Sequence, residues 1–351
     1  MNATPENLDR YSRQMLFAPI GADGQRRLAE GRVLLIGCGA LGTVLATTLT
    51  RAGVGFLRIC DRDEIELNNL QRQVLFDEED IARGLPKAVA AAEKLRRANS
   101  EVTVEPVVTD VGCDNIVRLA ADCDVLLDGT DNFETRYLIN DLAVQSGKPW
   151  VYGAVIGATG LVMPVVPGVT ACLRCVFESA PPPEMSPTCD TAGVIAPAVN
   201  VVASLQCVEV FKLLMGQRDA LSLGLTSIDV WSGRNHRLTV SPVRGETPCP
   251  CCGARNFAYL DGRMMSSTTT LCGRNAVQIA PPAEREARMD FDAVADKLSR
   301  AARGAVRRSR FLVRADVEGY TITVFPDGRA IIKGTKLADE ARSVYAKYIG
   351  H

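Results

Sequence analysis

The sequence lacks an excess of either charge: Lys+Arg 40 balance Asp+Glu 41 and leave a net charge of −1. Without a basic excess, the composition gives no indication of a nucleic-acid or membrane-surface partner. The first ten residues also lack the basic start and the apolar core of a signal peptide. These absences predict a cytoplasmic protein whose partner is small or only locally acidic.

Long uninterrupted hydrophobic runs, internal repeats and clean low-complexity tracts are absent too. The most apolar stretch, residues 192–210, contains Pro197, Asn200, Ser204, Gln206 and Glu209. These residues predict a buried helix and argue against a membrane span. Twelve cysteines are present. Because a secretion signal is lacking, they predict thiols or metal ligands and not a disulfide framework.

The most informative stretch present is residues 33–42, where an apolar run ends in the glycine pattern Gly37, Gly39 and Gly42. An acidic residue, Asp61, follows nineteen residues after the last glycine. This layout is typical of a nucleotide-binding strand-turn-helix-strand unit, in which one glycine permits the turn, one admits phosphate and one allows close packing. Alone, the pattern predicts a site for an adenosine-containing molecule, as in many dehydrogenases.

Polar residues downstream of Asp61 indicate which class of adenosine-containing ligand the site binds. Asn69, Arg72 and Lys87 offer an amide and two permanent cations. A planar arginine fork and a lysine point charge suit the holding of phosphates while one of them is displaced. Taken singly, each of these residues would be interpreted as a polar or charged surface residue at the start of a helix. Their clustering after the glycine loop predicts a triphosphate site.

A second polar cluster, residues 128–136, follows an apolar strand. Ligands of open α/β sheets bind at the carboxyl ends of the strands, so Asp131 is expected to face the same crevice as Gly39 and Lys87. A carboxylate beside a triphosphate handles Mg²⁺ or orients the reacting groups. Capping of a helix is the competing interpretation. We assign the functional role to Asp131 and the cap to a neighbour such as Thr130.

The alternation of apolar strands and helices predicts an α/β fold with a Rossmann-like, doubly wound and mostly parallel sheet. Residues 161–166 predict an antiparallel extension of this sheet. We divide the chain into an ATP-binding domain, 1–254, and a small α+β C-terminal module, 255–351. For the module we predict an αββα-like unit with a helix at 291–298, strands at 311–313, 320–325 and 330–332, and a final helix at 337–348.

Two Cys-x-x-Cys pairs, Cys172 with Cys175 and Cys249 with Cys252, are separated by a long insertion. Four thiolates at this spacing are typical of a tetrahedral structural zinc site, which would clip the tail onto the end of the sheet. Cys251 is then left over. A redox Cys-x-x-Cys is the alternative, but two such pairs in one chain favour the metal.

The other cysteines divide into a candidate nucleophile and structural residues. Cys189 lies in a loop ahead of a helix predicted at about 198–215, and a thiol near a helix start can have a lowered pKa. Cys272 is either a structural strand residue or a second reactive thiol, and we favour the first. Four cysteines in apolar elements are predicted to be small core residues: Cys38, Cys60, Cys123 and Cys207.

Five ordered motifs resemble the ThiF/MoeB/HesA family, relatives of the ubiquitin-activating enzymes: Arg10–Gln14, Gly37–Gly42, Asn68–Gln73, Gly129–Asn132 and the cysteine pairs. The resemblance runs from about Arg10 to Cys252. It implies adenylation of the C-terminal glycine of a ubiquitin-like sulfur carrier ending in Gly-Gly, with ATP, Mg²⁺ and Zn²⁺, a homodimer and a sulfur donor protein. The amino-acid sequences of residues 155–161 and 187–193 resemble those of thiamine-type ThiF proteins more than those of molybdopterin-type MoeB proteins.

Carried over by position, the resemblance implies roles for single residues. Ala40 and Asp61 would lie at the adenosine and ribose, and Asn132 would flank the reacting carboxylate and metal beside Asp131. Arg13 would reach the phosphates bound by the partner subunit. The implied nucleotide-binding set is Gly37, Gly39, Ala40, Gly42, Asp61, Asn68, Asn69, Arg72, Lys87, Asp131 and Asn132. The implied catalytic set is Arg13, Arg72, Lys87, Asp131 and Cys189.

Other functions stay open at this point. A ubiquitin-like modifier or a peptide could be activated through a thioester on Cys189 or Cys272. In the family this loop cysteine forms a covalent link in some members and is dispensable in others. A nucleotide-binding scaffold without catalysis would not need the complete polar set. A dehydrogenase would not need Arg13, Arg72 and Lys87.

Overall fold

A computed structural model describes residues 9–179, 192–240, 248–264, 268–271, 275–279, 290–302, 304, 306–326 and 328–349. The chain divides into two compact units, Met1–Met265 and Ser266–His351. The sequence-based boundary after residue 254 lies earlier. Residues following it pack on the first unit, since the Tyr259 ring stacks on Tyr137 at 4.9 Å and the Tyr259 N–H donates to Asp141 at 2.9 Å.

The described part of the first unit contains an eight-stranded sheet with the order β3-β2-β1-β4-β5-β6-β7-β8. β1 to β5 are parallel where they pair, and β6, β7 and β8 extend the sheet antiparallel. This architecture confirms the predicted fold class. The strands are β1 (Arg32–Ile36), β2 (Phe56–Asp61), β3 (Thr103–Val108), β4 (Val125–Asp128), β5 (Trp150–Ile156), β6 (Thr159–Val165), β7 (Leu225–Asp229) and β8 (Arg234–Leu238).

Helices connect and cover the strands of this sheet. The described helices of the first unit are α1 (Ser12–Met15), α2 (Gly21–Glu30), α3 (Ala40–Ala52), α4 (Glu78–Arg83), α5 (Lys87–Ala98), α6 (Ile116–Ala120), α7 (Phe133–Ser146), α8 (Leu173–Val176) and α9 (Ala196–Leu214). Right-handed crossovers through helices are the usual way to join parallel strands.

The strand order reverses between β1 and β4, and this reversal decides where a ligand can bind. Val33–Ile36 are apolar and buried, as expected of a strand covered on both faces. Ile36 lies opposite Asp128 in the parallel register of β1 and β4. The two loops that leave these strands therefore start side by side, and the chain diverges in opposite directions from them. Such a switch point is the usual ligand crevice of open α/β sheets.

Among the described residues, α9 is the one helix long and apolar enough to cross a membrane. It packs against α3, β5 and β6. It also buries Gln206, whose Nε2 donates to the Asp128 carbonyl, and Glu209, whose Oε2 accepts the Ser222 N–H. These contacts agree with the prediction of a buried core helix.

The described part of the second unit contains a six-stranded antiparallel sheet, in the order β11-β12-β13-β14-β10-β9, and two helices. The predicted αββα-like unit lacked three of these strands, and the strand predicted at 311–313 instead begins at Val313. Ser309 accepts the N–H groups of Phe311 and Leu312, which makes this segment a turn. The elements are β9 (Thr268–Leu271), β10 (Ala276–Ile279), α10 (Phe291–Ala301), β11 (Arg307–Arg308), β12 (Val313–Val317), β13 (Tyr320–Val324), β14 (Ala330–Lys333) and α11 (Ala338–Tyr348).

Candidate functional site

The glycine loop links β1 to α3 and packs against the loop that follows β4. Gly37 has a φ of +90°, and a Cβ there would lie 2.5 Å from the carbonyl oxygen of Gly129. A Cβ on Gly42 would lie 2.1 Å from the carbonyl oxygen of Gly37. By contrast, the closest atom to a Cβ on Gly39 is the Gln73 amide nitrogen at 3.9 Å. Gly37 and Gly42 therefore shape the turn, while Gly39 leaves backbone at the amino end of α3 open to an anion.

Asp61, at the end of β2, holds this loop. Its Oδ2 accepts the Cys38 N–H at 2.6 Å, and its Oδ1 accepts the Asp63 N–H at 2.7 Å. Burial raises the pKa of Asp61, while the Lys87 charge and these two backbone donors oppose the rise. A carboxylate oxygen has a second lone pair. Asp61 can therefore hold the loop and still accept a hydrogen bond from a ribose hydroxyl.

Lys87 is the first residue of α5 and is buried, with 2% of its surface exposed. Its Nζ donates to Asp63 Oδ2 at 2.9 Å, and its charge acts on both Asp61 and Cys38. The predicted phosphate lysine thus lies beside the glycine loop. The carboxylates of Asp61 and Asp63 compensate its charge and set its direction.

Residues 67–73 form a tight turn against the glycine loop. Asn69 is buried, and its Oδ1 accepts the Glu66 N–H at 3.0 Å while its Nδ2 donates to Asn68 Oδ1 at 3.0 Å. Arg72 Nη1 donates to the Asn68 carbonyl at 2.9 Å. The turn orders the backbone that carries Arg72. Gln73 lies next to Gly39, because its amide nitrogen would be 3.9 Å from a Cβ placed on that glycine.

Arg62 was not assigned a role from the sequence, and the structure places it among the site residues. Its Nη1 donates to both oxygens of Asp110 at 2.9 Å, and its Nε lies 3.8 Å from Asp63 Oδ1. Burial lowers the pKa of Arg62, but the charges of Asp110, Asp63 and Asp131 outweigh burial and raise it overall. Its position directly after Asp61, at a strand end, was the signal available in the sequence.

The loop after β4 carries Asp131, whose side chain is exposed. Its negative charge acts on two guanidinium groups, that of the partly buried Arg62 and that of the buried Arg136. The predicted cap was wrong: Asn132 is the N-cap of α7, since its Oδ1 accepts the Thr135 N–H at 2.8 Å. Thr130 instead turns back, and its hydroxyl donates to Asp128 at 2.7 Å.

Arg13 lies far from the glycine loop of its own chain. The neighbouring Tyr11 covers Gly53, and Gln14 donates to the Ala52 carbonyl at 3.1 Å. Both contacts are at the C-terminal end of α3, whereas the glycine loop is at its N-terminal end. With 13 residues, α3 is about 18 Å long. Arg13 is exposed at this distant end, so it does not join the site within one chain.

Four cysteine sulfurs cluster where α8 meets the segment after residue 248. Cys172, Cys175, Cys249 and Cys252 all have their Sγ atoms within 4.8 Å of one another. The Sγ distances are 3.8 Å for 172–175, 3.7 Å for 172–249 and 3.4 Å for 175–252. All exceed the roughly 2 Å of a disulfide bond. The predicted set thus converges across a long stretch of sequence.

The left-over cysteine of this cluster, Cys251, is fully buried beside it. Asn140 on α7 donates to Cys251 Sγ at 3.3 Å and accepts the Leu173 N–H at 2.8 Å. Asp141 accepts the N–H groups of Tyr259 and Leu260. α7 therefore joins the cysteine cluster to the loop that carries Asp131.

The remaining cysteine predictions have two outcomes. Cys38, Cys60, Cys123 and Cys207 are buried in the core, as predicted. Burial raises the pKa of Cys60 and Cys207 to about 12 and that of Cys123 to about 11, which keeps these thiols neutral. Cys189 and Cys272 lie outside the described residues, so their roles as reactive thiols stay predictions.

Comparison with known proteins gives consistent relatives. A family model described as the ThiF family matches residues 11–251. The chain is 43% identical over 341 residues to the sulfur carrier protein ThiS adenylyltransferase of Bacillus subtilis (strain 168), covering 97% of this chain and 99% of that relative. It is 36% identical over 248 residues to the sulfur carrier protein ThiS adenylyltransferase of Escherichia coli (strain K12), covering 70% of this chain and 96% of that relative.

Solved structures with a similar fold include E. coli MccB, with a TM-score of 0.61 and 26% sequence identity over 72% of this chain and 74% of that chain. A structure of E. coli MccB with ATP has a TM-score of 0.58 and 26% identity, covering 70% of this chain and 74% of that chain.

Proposed function

This chain belongs to the ThiF family, and we propose that it uses ATP to adenylate the C-terminal glycine carboxylate of a ubiquitin-like sulfur carrier, releasing pyrophosphate. The chain is an adenylyltransferase, as are the two relatives by name. The activated carrier then receives sulfur from a separate donor protein, in the biosynthesis of thiamine or a related cofactor.

The observation that carries this proposal is the meeting of two loops at the reversal of strand order. The glycine loop offers backbone at the amino end of α3, with Lys87 and the turn of Arg72 beside it. The loop after β4 offers the exposed carboxylate of Asp131. One side of the crevice thus suits the phosphates of ATP, and the other suits Mg²⁺ and the incoming carboxylate.

The proposed adenylation does not need a general base. A carrier carboxylate is already ionised at neutral pH, and it attacks the α-phosphorus while pyrophosphate leaves. Catalysis consists of bringing two anions together and stabilising the charge that develops on the phosphates. Arg72 and Lys87 supply positive charge for this purpose. Asp131 would ligate Mg²⁺, which would supply positive charge to the phosphates.

The cysteine cluster fits a structural zinc ion. A tetrahedron with Zn–S bonds of about 2.3 Å has S–S edges of about 3.8 Å, close to the 3.4–3.8 Å contacts in the cluster. Cys172, Cys175, Cys249 and Cys252 would fill all four positions. Such a closed site leaves no position for substrate, so its role is to hold the segment after residue 248 on the unit.

The most direct test measures ATP–pyrophosphate exchange with a panel of purified small carrier proteins ending in Gly-Gly. We expect exchange with at least one carrier and none without a carrier, since the carboxylate is the attacking group. The matched control is the same carrier with its last glycine deleted, which shifts the carboxylate by about 3.5 Å and removes the reacting position. Equal exchange with the truncated carrier would contradict the proposal.

The placement of Arg13 supports a homodimer in which each chain completes its partner's site. Arg13 lies near the C-terminal end of α3, and the glycine loop is at the other end of this helix, which is about 18 Å long. Beside Arg13, Leu16 and Phe17 expose 74% and 62% of their surface. Exposed apolar side chains such as Leu16 and Phe17, next to the exposed cation of Arg13, are typical of a symmetric interface between two copies of a chain. In a twofold dimer Arg13 would reach the phosphates held by the partner.

Mixing two inactive variants tests this arrangement. Arg13→Ala and Arg72→Ala are each expected to abolish exchange as homodimers. After subunit exchange, half of the dimers are mixed, and each mixed dimer has one intact site. The recovered activity should therefore approach about a quarter of the wild-type value. Arg26→Ala, at an exposed surface ion pair with Asp23, is the matched control and should be active alone. No recovery on mixing, with mixed dimers verified by mass, would contradict action across the interface.

A further inference from the structure

A closed polar network lies beneath the Asp131 loop, and its centre is the fully buried carboxylate of Asp128. Its Oδ1 accepts the backbone N–H of Thr130 at 2.8 Å and the Thr130 hydroxyl at 2.7 Å. Its Oδ2 accepts Arg136 Nε at 3.0 Å and the Gly153 N–H at 3.3 Å. Four donors therefore satisfy the two carboxylate oxygens of this residue.

Arg136 closes the network from the first turns of α7. It is 6% exposed, and its Nη2 donates to the Thr130 carbonyl at 2.8 Å and to the Gly153 carbonyl at 3.1 Å. Thr130 is thus held at its N–H, its hydroxyl and its carbonyl. A planar guanidinium makes such contacts in fixed directions, which a lysine ammonium does not.

Asp131 follows Thr130 directly, and both sides of it are anchored. On one side, the Gly129 N–H donates to the Ile36 carbonyl at 2.8 Å, which ties the loop to the end of β1. On the other, Asn132 caps α7 through the Thr135 N–H. The side chain of Asp131 is exposed, while the buried network fixes the position of its backbone.

We propose that Asp128 and Arg136 are positioning residues, which hold the Asp131 carboxylate where it meets the metal and the reacting phosphate. This inference rests on the proposed adenylation for its kinetic consequences. A carboxylate on an exposed loop would sample many positions. Preorganisation by buried, fully bonded partners removes that motion before substrate binds.

The test is a double-mutant cycle in ATP–pyrophosphate exchange. Arg136→Lys keeps the charge but loses the planar fork, and we expect exchange to fall about 10²-fold, as for a catalytic group misplaced by about 1 Å. In the Asp131→Ala background the same change should have almost no further effect, because the group being positioned is gone. An equal fall in both backgrounds would show that Arg136 acts independently of Asp131 and would overturn the proposal.

Arg58→Lys is the matched control. Arg58 also pairs with carboxylates, Glu105 and Asp122, and donates to the Leu119 carbonyl. Asp122 and Leu119 precede β4, whereas Asp131 follows it. We expect exchange near the wild-type rate from this variant. If Arg136→Lys does not fold, Thr130→Val removes one donor to Asp128 with little change in shape, and a several-fold fall confined to proteins that retain Asp131 is expected.

Hydrogen exchange of backbone amides separates this inference from the proposed function. Arg136→Lys should speed exchange of the Thr130 amide, whose N–H donates to Asp128, and Arg58→Lys should not. If the wild-type protein activates no carrier, the adenylation proposal fails, and amide exchange alone decides whether the network holds the loop. Unchanged amide exchange in Arg136→Lys would overturn the positioning role whatever the activity.

Discussion

Replacing Asp131 by alanine is expected to lower ATP–pyrophosphate exchange by about 10³-fold, with little loss of stability. The factor is that of removing one preorganised electrostatic group from an active site. Asp131 is exposed, so its removal leaves no cavity. The fold should be kept because Asp128, Arg136 and Asn132 hold the loop. The measurement is exchange of labelled pyrophosphate into ATP, with the thermal midpoint of the same preparation.

Two further variants sharpen this result. Asp131→Asn keeps the shape but removes the charge, and exchange should fall nearly as far if the carboxylate ligates Mg²⁺. Glu134→Gln, in the first turn of α7, changes a neighbouring carboxylate and should leave exchange close to wild type. Near wild-type exchange from Asp131→Ala would make the assignment wrong.

Removal of zinc is expected to have the largest effect on stability. The paired change Cys172→Ser with Cys249→Ser removes one ligand from each half of the cluster. We expect loss of bound zinc and a fall of about 10 °C in the thermal midpoint, because loss of a structural metal removes several kcal/mol from a domain of this size. Zinc content by elemental analysis and a melting curve measure both effects.

Single changes at other cysteines provide the controls for zinc binding. Cys113→Ser lies outside the cluster and should keep both zinc and the thermal midpoint. Cys251→Ser should also keep zinc, since Cys251 bonds to Asn140 and is not needed as a fourth ligand. A wild-type protein purified without chelator and free of zinc would contradict the structural-metal assignment.

The parallel half of the first unit could be predicted from the sequence because its signals are local. Val33–Ile36 are continuously apolar, which suits a strand buried on both faces. A helical spacing of apolar residues follows Pro86, and α5 (Lys87–Ala98) is observed there. Gly53 ends α3 in the left-handed conformation, with a φ of +83°.

Two of the strands that were missed, β8 and β11, carry weak signals in the sequence. β8 (Arg234–Leu238) is exposed at every residue, so it shows no alternation of buried and exposed positions. β11 is two residues long and consists of Arg307 and Arg308. Both strands form because their backbone groups make hydrogen bonds to a neighbouring strand, β7 for β8 and β12 for β11. Pairing of this kind depends on tertiary structure and leaves little trace in composition.

By itself, the sequence determined the chemistry available at the site: glycines for a nucleotide loop, cations for phosphates, a carboxylate after β4 and two cysteine pairs. Only the tertiary structure decided how these groups are arranged. It made Asn132 the helix cap and turned Thr130 toward Asp128. It also brought Arg62 to the site and separated Arg13 from its own glycine loop. The physical reason is that side-chain chemistry is a property of each residue, whereas hydrogen-bond partners and distances depend on which distant strand ends the fold brings together.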